Sequence, residues 1–157
     1  MNWALPKVQE LLPEDYLAEV AQRVAQLHDL PAALIHRDPN PSNLISTSDA
    51  IGFVDFDLSR RFARVFDPCY TMTAVLSEVF GQDELPWQEN WPTLCREILK
   101  GYESVTPLTE KEKDAVPTLM QGNELLCIAA FADSSKYREV FDVNMRMLPY
   151  IIENSVH

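Results

Sequence analysis

Asp38, Asn43 and Asp55 are the residues whose types and spacing could do chemistry. They lie in His36-Arg37-Asp38-Pro39-Asn40-Pro41-Ser42-Asn43, an apolar run, and then Val54-Asp55-Phe56-Asp57. An Asp followed five residues later by an Asn, with a second Asp after a β-type run, is the spacing of a phosphoryl-transfer site. Charged phosphates must be neutralised before a hydroxyl can approach them. Magnesium does this with oxygen ligands, one or two from protein and the rest from phosphate and water. Asn43 and Asp55 offer one neutral and one anionic oxygen. Asp38 is then placed to accept a hydrogen bond from the attacking hydroxyl, orient it and take its proton late.

The flanking residues suit such a loop. Ala33-Leu34-Ile35 predicts a short strand running into Asp38. Pro39 and Pro41 restrict the loop and cannot continue a helix. Leu44-Ile45 resumes a strand, Ser46-Thr47-Ser48-Asp49 is a turn cluster, and Ile51-Gly52-Phe53-Val54 returns as the second strand of a hairpin. The strands deliver Asp38, Asn43 and Asp55 to one end. His36 is expected to anchor the loop by packing and hydrogen bonding, without direct chemistry.

On these residues the chain resembles the aminoglycoside phosphotransferase and choline kinase-like family of small-molecule kinases, which share a protein-kinase-like fold. The matching features are Leu34-Ile35-His36, Asp38, Pro41, Asn43, Val54-Asp55-Phe56-Asp57 and, downstream, Asp67-Pro68. The family usually has glycine where Arg37 stands. The resemblance is sharp from Ile35 to about Tyr70 and loose over the rest. It implies ATP as phosphoryl donor, Mg²⁺ as cofactor, Asp38 as catalytic base, and Asn43 and Asp55 as ligands of the nucleotide-bound metal. Asp57 is a weaker metal-site candidate. The implied acceptor is a hydroxyl of a small molecule: an aminoglycoside, homoserine or a choline-like alcohol.

The chain has 157 residues, an ordinary apolar fraction and a net charge of −11. Such a balance excludes nucleic acid and anionic membrane surfaces as expected partners. No run is long enough to span a membrane. Cys69, Cys95 and Cys127 are far apart in apolar settings and read as reduced thiols of a cytoplasmic protein. One absence carries more weight. A kinase-type site also needs a glycine-rich loop and a strand lysine ahead of the motif. Here no glycine precedes Gly52, and Lys7 is the only earlier lysine.

The expected fold is therefore mostly α with a small β-hairpin: the C-terminal lobe of a protein-kinase-like phosphotransferase, the N-terminal nucleotide-covering lobe being absent. Residues 1–157 form one lobe, with an arm at 1–13, a helix at 14–29, the catalytic loop and hairpin at 33–57, and a helical subdomain at 67–153. Asp67 is expected to cap the helix that Pro68 opens, with orientation of the catalytic loop as its alternative role. Thr109 and Glu112 spell a capping box for a helix whose interior, Leu125 to Ala130, is apolar nearly all round and so should be central and buried. Gln121, Asn123 and Glu124 stand just ahead of that run. They are the candidate substrate contacts, with ordinary solvent exposure as the plainer alternative.

Two rival functions remain open on the sequence. One is a non-catalytic truncated or split product serving as a binding or assembly module. Its exposed apolar surface would be covered by a second copy, through residues 3–12 and the hairpin, or by a separate chain carrying the missing lobe. The other, metal-dependent phosphoester hydrolysis, is weak, since His28, His36 and His157 are the only histidines and only His36 lies in the motif.

Overall fold

The computed structural model describes residues 3–155; the fraying expected of the C-terminal tail at Val156 and His157 lies outside them. Six helices and four short strands follow one another: α1 Leu5–Val8, α2 Glu14–Ala25, β1 Ala32–Ile35, β2 Leu44–Ser46, β3 Ile51–Phe53, β4 Arg60–Ala63, α3 Phe66–Val79, α4 Trp87–Val105, α5 Glu110–Phe131 and α6 Arg138–Asn154. Short 3₁₀ turns occupy Gln26–Asp29 and Pro41–Asn43. The helix expected over 14–29 thus tightens to 3₁₀ after Ala25. Within that turn the exposed His28 ring donates from Nδ1 to the Ala25 carbonyl at 2.6 Å, the helix-end role its position suggests.

α5 is the central helix. It starts at the predicted capping box: the Thr109 side chain accepts the Glu112 N–H, and the Glu112 carboxylate accepts the Thr109 N–H. Fourteen of its residues, from Glu112 to Ala129, are buried. One apolar cluster packs its first half against α3, α4 and the β1–β4 pair through Val65, Cys69, Met72, Leu76, Trp91 and Met120. A second packs its other half against α1, α2 and α6 through Val8, Leu17, Val20, Ile128 and Phe141. Helix burial of this kind contributes about 1.5–3 kcal/mol per large apolar side chain. The N-terminal arm is not loose: Ala4 and Val8 are fully covered by this second cluster.

The strands form two antiparallel pairs. β2 and β3 make the expected hairpin, with Leu44 opposite Phe53 and Ser46 opposite Ile51. The second pair, β1 with β4, joins Ala32 to Ala63 and Ile35 to Arg60. It corrects the expectation of a single hairpin. Arg60-Arg61-Phe62-Ala63 does not alternate between apolar and polar residues, because three of the four are exposed, so β4 carries no strand signature. Its role is to close the loop between β1 and α3. Among the described residues no helix is long and apolar enough to cross a membrane.

Candidate phosphoryl-transfer site

The loop after β1 is held by one face of α3. Asp67, Tyr70 and Thr71 stand at i, i+3 and i+4 on that helix, the spacing of a shared face. The Asp67 carboxylate accepts the His36 N–H at 2.7 Å and the Arg37 N–H at 2.9 Å. Tyr70 Oη donates to Asp38 Oδ1 at 2.8 Å, and Thr71 Oγ1 donates to the Pro39 carbonyl at 3.0 Å. Every residue from His36 to Pro39 is thereby tied to α3. Asp67 is not the N-cap it was expected to be. Val65 occupies that position, with no side-chain cap, and Asp67 lies inside the first turn. Its carboxylate orients the loop, the alternative role.

His36 anchors the other side. It is buried; its Nε2–H donates to the Val54 carbonyl at 2.8 Å, and Nδ1 accepts the Asp38 N–H at 3.3 Å. The ring lies 4.5 Å from Phe56 and 5.7 Å from Phe53, centroid to centroid. His36 therefore links the Asp38 loop to the segment after β3 that carries Asp55.

Asp38 is surrounded by neutral donors. Oδ1 accepts from Tyr70 and, at 2.9 Å, from Asn40 Nδ2; Oδ2 accepts from Asn43 Nδ2 at 3.2 Å. A carboxylate offers about four lone-pair positions, so the chain fills three and one is left on Oδ2. That position is open to a donor from outside the chain. Burial, and then the bond to Asp38, push the Tyr70 phenol far above its ordinary range, so it stays a donor at neutral pH.

Asn43 is buried at the end of the 3₁₀ turn that Pro41 opens and Asn40 caps, the Asn40 side chain accepting the Ser42 and Asn43 N–H groups. Its amide group bonds Asp38 twice, to Oδ2 and, at 3.0 Å, to the carbonyl. Oδ1 is then the atom free to meet a cation. The Val54 N–H donates to the Asn43 carbonyl at 3.0 Å, extending the hairpin ladder by one step, and Asp55 follows directly. Asp55 has φ 62°, in the left-handed region that Asp tolerates better than most residues. Asp55 and Asp57 are exposed. The donor set is an amide oxygen and two carboxylates, hard ligands of the kind Mg²⁺ takes. No cluster of three or more His, Cys, Asp or Glu among the described residues could enclose a metal alone. A magnesium shared with phosphate oxygens does not need one.

Residues 1–103 match the model of the phosphotransferase enzyme family. The chain belongs to this family. Curated relatives include homoserine kinase of Gluconobacter oxydans, 36% identical over 95 residues, covering 60% of this chain and 28% of that protein. Homoserine kinase of Phenylobacterium zucineum is 31% identical over 121 residues, covering 76% and 34%. This chain thus spans between 28% and 34% of the length of these relatives. Among solved structures, a Plasmodium vivax ethanolamine kinase superposes with a TM-score of 0.58 at 17% identity, over 92% of this chain and 41% of that one. At that identity the likeness speaks for a kinase-like fold.

Arg37 explains itself in this family setting. It has φ 72°, a conformation glycine adopts without strain, in keeping with the glycine that the resemblance implies there. Burial, with Arg60 adding to it, lowers the pKa of its guanidinium.

The three polar residues of α5 are all buried, so ordinary exposure is overturned: the helix is covered on that side too. They do not converge. Gln121 lines a cavity of about 220 Å³ with Tyr16 and Arg23. Asn123 has neither amide atom hydrogen-bonded. Glu124 alone lines a cavity next to the motif, about 140 Å³, together with Asn40, Tyr70, Thr73, Ser77 and Asn144. Asn40 and Tyr70 are the two residues bonded to Asp38 Oδ1. A larger concavity, about 600 Å³, lies between the end of α2 and the start of α5 and contains no motif residue; size alone does not mark the site. Tyr70 and Asn40 were not among the sequence candidates. The i, i+3 relation of Asp67 and Tyr70 was the available signal.

Proposed function

We propose that the chain carries the hydroxyl-activating half of an ATP-dependent small-molecule kinase, the C-terminal lobe of a kinase-like fold. Asp38 accepts the substrate hydroxyl at its one open lone-pair position and takes the proton as the bond to phosphorus forms. Tyr70, Asn40 and Asn43 hold the carboxylate still, so that geometry does the work. Asn43 Oδ1 and Asp55 would hold Mg²⁺ with the nucleotide phosphates, Asp57 lying farther along the segment. When bound, Mg-ATP supplies the electrophilic phosphoryl group and neutralises its charge. Homoserine and ethanolamine kinases among the similar proteins support a small alcohol as acceptor over a polymer. Three free cysteines suit a reducing, cytoplasmic setting.

The observation that carries this reading is the carboxylate of Asp38 with three positions filled and one open, beside an uncommitted Asn43 oxygen. Calorimetric titration of Mg-ATP into the chain and into Asp55→Ala tests it. Binding tighter than about 1 mM, lost in the variant, is the expected result. No heat from either protein would leave the site idle in this chain.

A non-catalytic assembly role is the second reading, and one observation favours it. Leu34, Ile45, Ile51, Phe53 and Phe56, on or next to the two strand pairs, are all exposed. A second copy of the chain, or a separate nucleotide-covering lobe, would cover them.

A further inference from the structure

α5 holds two buried glutamates, and the fold treats them oppositely. Glu112 is met by Arg64 at 2.7 Å and by its own capping box. Glu124 is equally buried, yet its Oε1 is sealed with no hydrogen-bond partner. Burying a carboxyl without partners costs stability, and α5 could carry a leucine there at no such cost. What Glu124 does have is the cavity.

The hydroxyls lining that cavity have turned their hydrogens elsewhere, and each lining Asn amide has one of its two N–H groups engaged. Tyr70 Oη donates to Asp38, Thr73 Oγ1 to the Tyr70 carbonyl at 3.0 Å, and Ser77 Oγ to the Ala74 carbonyl at 2.8 Å. Asn40 Nδ2 donates to Asp38 and Asn144 Nδ2 to the Val140 carbonyl. What remains on the lining residues is mostly oxygen: hydroxyl lone pairs, the Glu78 carboxylate and the Glu124 carboxyl, against one N–H on each Asn amide and the Cys127 thiol. A cavity of acceptors selects a ligand rich in donors. A primary ammonium has three N–H groups and no acceptor.

Size narrows the class. About 140 Å³ is the liquid volume of roughly five water molecules at about 30 Å³ each. That is room for a few heavy atoms. It is below the roughly 300 Å³ at which drug-sized pockets begin, which favours a small amine over an aminosugar. A quaternary ammonium has no N–H to give and is held by aromatic faces instead; of the lining residues only Tyr70 and Phe131 are aromatic.

We propose that Glu124 is the anchor for the ammonium group of a small primary amino alcohol, whose hydroxyl is thereby presented to Asp38. The hydroxyl end rests on the phosphoryl-transfer reading above; the ammonium end does not. Tyr70 connects the two ends: it lines the cavity, and its Oη donates to Asp38 Oδ1. Burial alone raises the Glu124 pKa well above the ordinary value, which favours its neutral form. Docking of R–NH₃⁺ then expels one proton from Glu124 to solvent and leaves a carboxylate–ammonium pair. Other titratable groups around it are Tyr16 from α2, Tyr70 and the cavity-lining Glu78 from α3, and Cys127 from α5. Burial raises Tyr16, Tyr70 and Cys127, Tyr16 and Cys127 to about 12, so these three stay neutral at pH 7, and no Lys, Arg or His lines the cavity.

The test is calorimetry or ligand-observed NMR on the full chain. The probes are ethanolamine and homoserine beside their amine-free counterparts, ethylene glycol and 4-hydroxybutyrate, with choline as a quaternary control. At least one amine should bind at millimolar concentration or better. Its amine-free counterpart and choline should bind at least about tenfold more weakly, the loss of a charge-assisted hydrogen bond. Glu124→Gln should lose the same factor while Mg-ATP binding is unchanged. Equal affinity for amine and amine-free probes overturns the proposal, and this comparison uses only the parent protein, so a variant that fails to fold does not obscure it. No amine binding up to about 10 mM, or full binding by a folded Glu124→Gln, overturns it as well. Glu124-dependent amine binding without Mg-ATP binding would leave the anchor standing and remove the phosphoryl-transfer reading.

Discussion

Asp67 shows how one side chain can set the geometry of a site it does not enter. Two backbone N–H groups converge on its carboxylate, and hydrogen bonds to a charged group contribute about 1.5–3 kcal/mol each. Asp67→Asn removes the charge, and the amide N–H₂ cannot accept from an N–H. The expected loss is on the order of 2 kcal/mol in urea unfolding, accompanied by weaker Mg-ATP binding. An ordinary first-turn aspartate would lose only about 0.3–1 kcal/mol of helix-dipole energy, so the magnitude decides between the roles. Arg37 carries the opposite expectation. A non-glycine residue in the left-handed region costs about 1–2 kcal/mol, partly offset by the lower unfolded-state entropy of Arg relative to Gly. Arg37→Gly should raise stability by about 0.5–1 kcal/mol, read as an increase in urea midpoint; a decrease would mean the guanidinium contacts outweigh the backbone strain. At this scale the pairing of Asp38 with Asn43 was legible, because a five-residue spacing across a proline-restricted loop brings the two side chains together. Tyr70 was not singled out because a tyrosine in an apolar helix reads as core until its face is matched with that of Asp67.

At the scale of the element, α5 makes two carboxyls on one helix respond to pH in opposite directions. Burial pushes Glu112 up, but its hydrogen bonds to Arg64 and Thr109 outweigh that and leave it below the ordinary 4.5. Its contribution is present above about pH 4.5 and is lost as pH falls through the lowered folded value. Glu124 is raised above 4.5 by burial. The native state then holds a proton that the unfolded state releases, so stability falls as pH rises from about 4.5 towards the raised value. Glu112→Gln should therefore cost most at pH 7 and progressively less below pH 4.5. Glu124→Gln should match the parent near pH 4 and be the more stable protein at pH 8. Urea unfolding of the three proteins across pH 4–8 checks both signs; parallel curves for Glu124→Gln and parent would show that Glu124 is already paired. Breaking the buried Arg64–Glu112 pair by Arg64→Met should cost about 3 kcal/mol or more, far beyond the value of an exposed ion pair. The capping box and the burial of α5 were readable from its sequence. The partners of its glutamates were not, since Arg64 lies 48 residues away and reads in sequence as part of a basic surface cluster with Arg60 and Arg61.

For the whole molecule, two long-range terms oppose each other. The strand pairs expose apolar side chains, Leu34 at 77% being the most open of those named, and covering them is favourable by about 25 cal/mol per Å². The chain also carries a net charge of −11, which resists a second copy of itself. Salt changes only the second term strongly. The Debye length falls from about 30 Å at 0.01 M to about 3 Å at 1 M, so repulsion between copies fades while apolar attraction persists. Self-association should therefore increase with salt: monomer at low ionic strength and a growing dimer fraction above about 0.3 M, measured by light scattering at tens of micromolar. Leu34→Lys with Phe53→Lys should hold the chain monomeric throughout. Residues 3–12 are the weaker half of the expected interface, because Ala4 and Val8 are already covered within the chain; Trp3→Ser should leave the salt dependence nearly unchanged. A monomer at every salt concentration would remove the self-association reading. The exposed strands would then fit a surface for a different chain, and addition of a nucleotide-covering lobe from a homoserine kinase relative would be the direct assay for that partner.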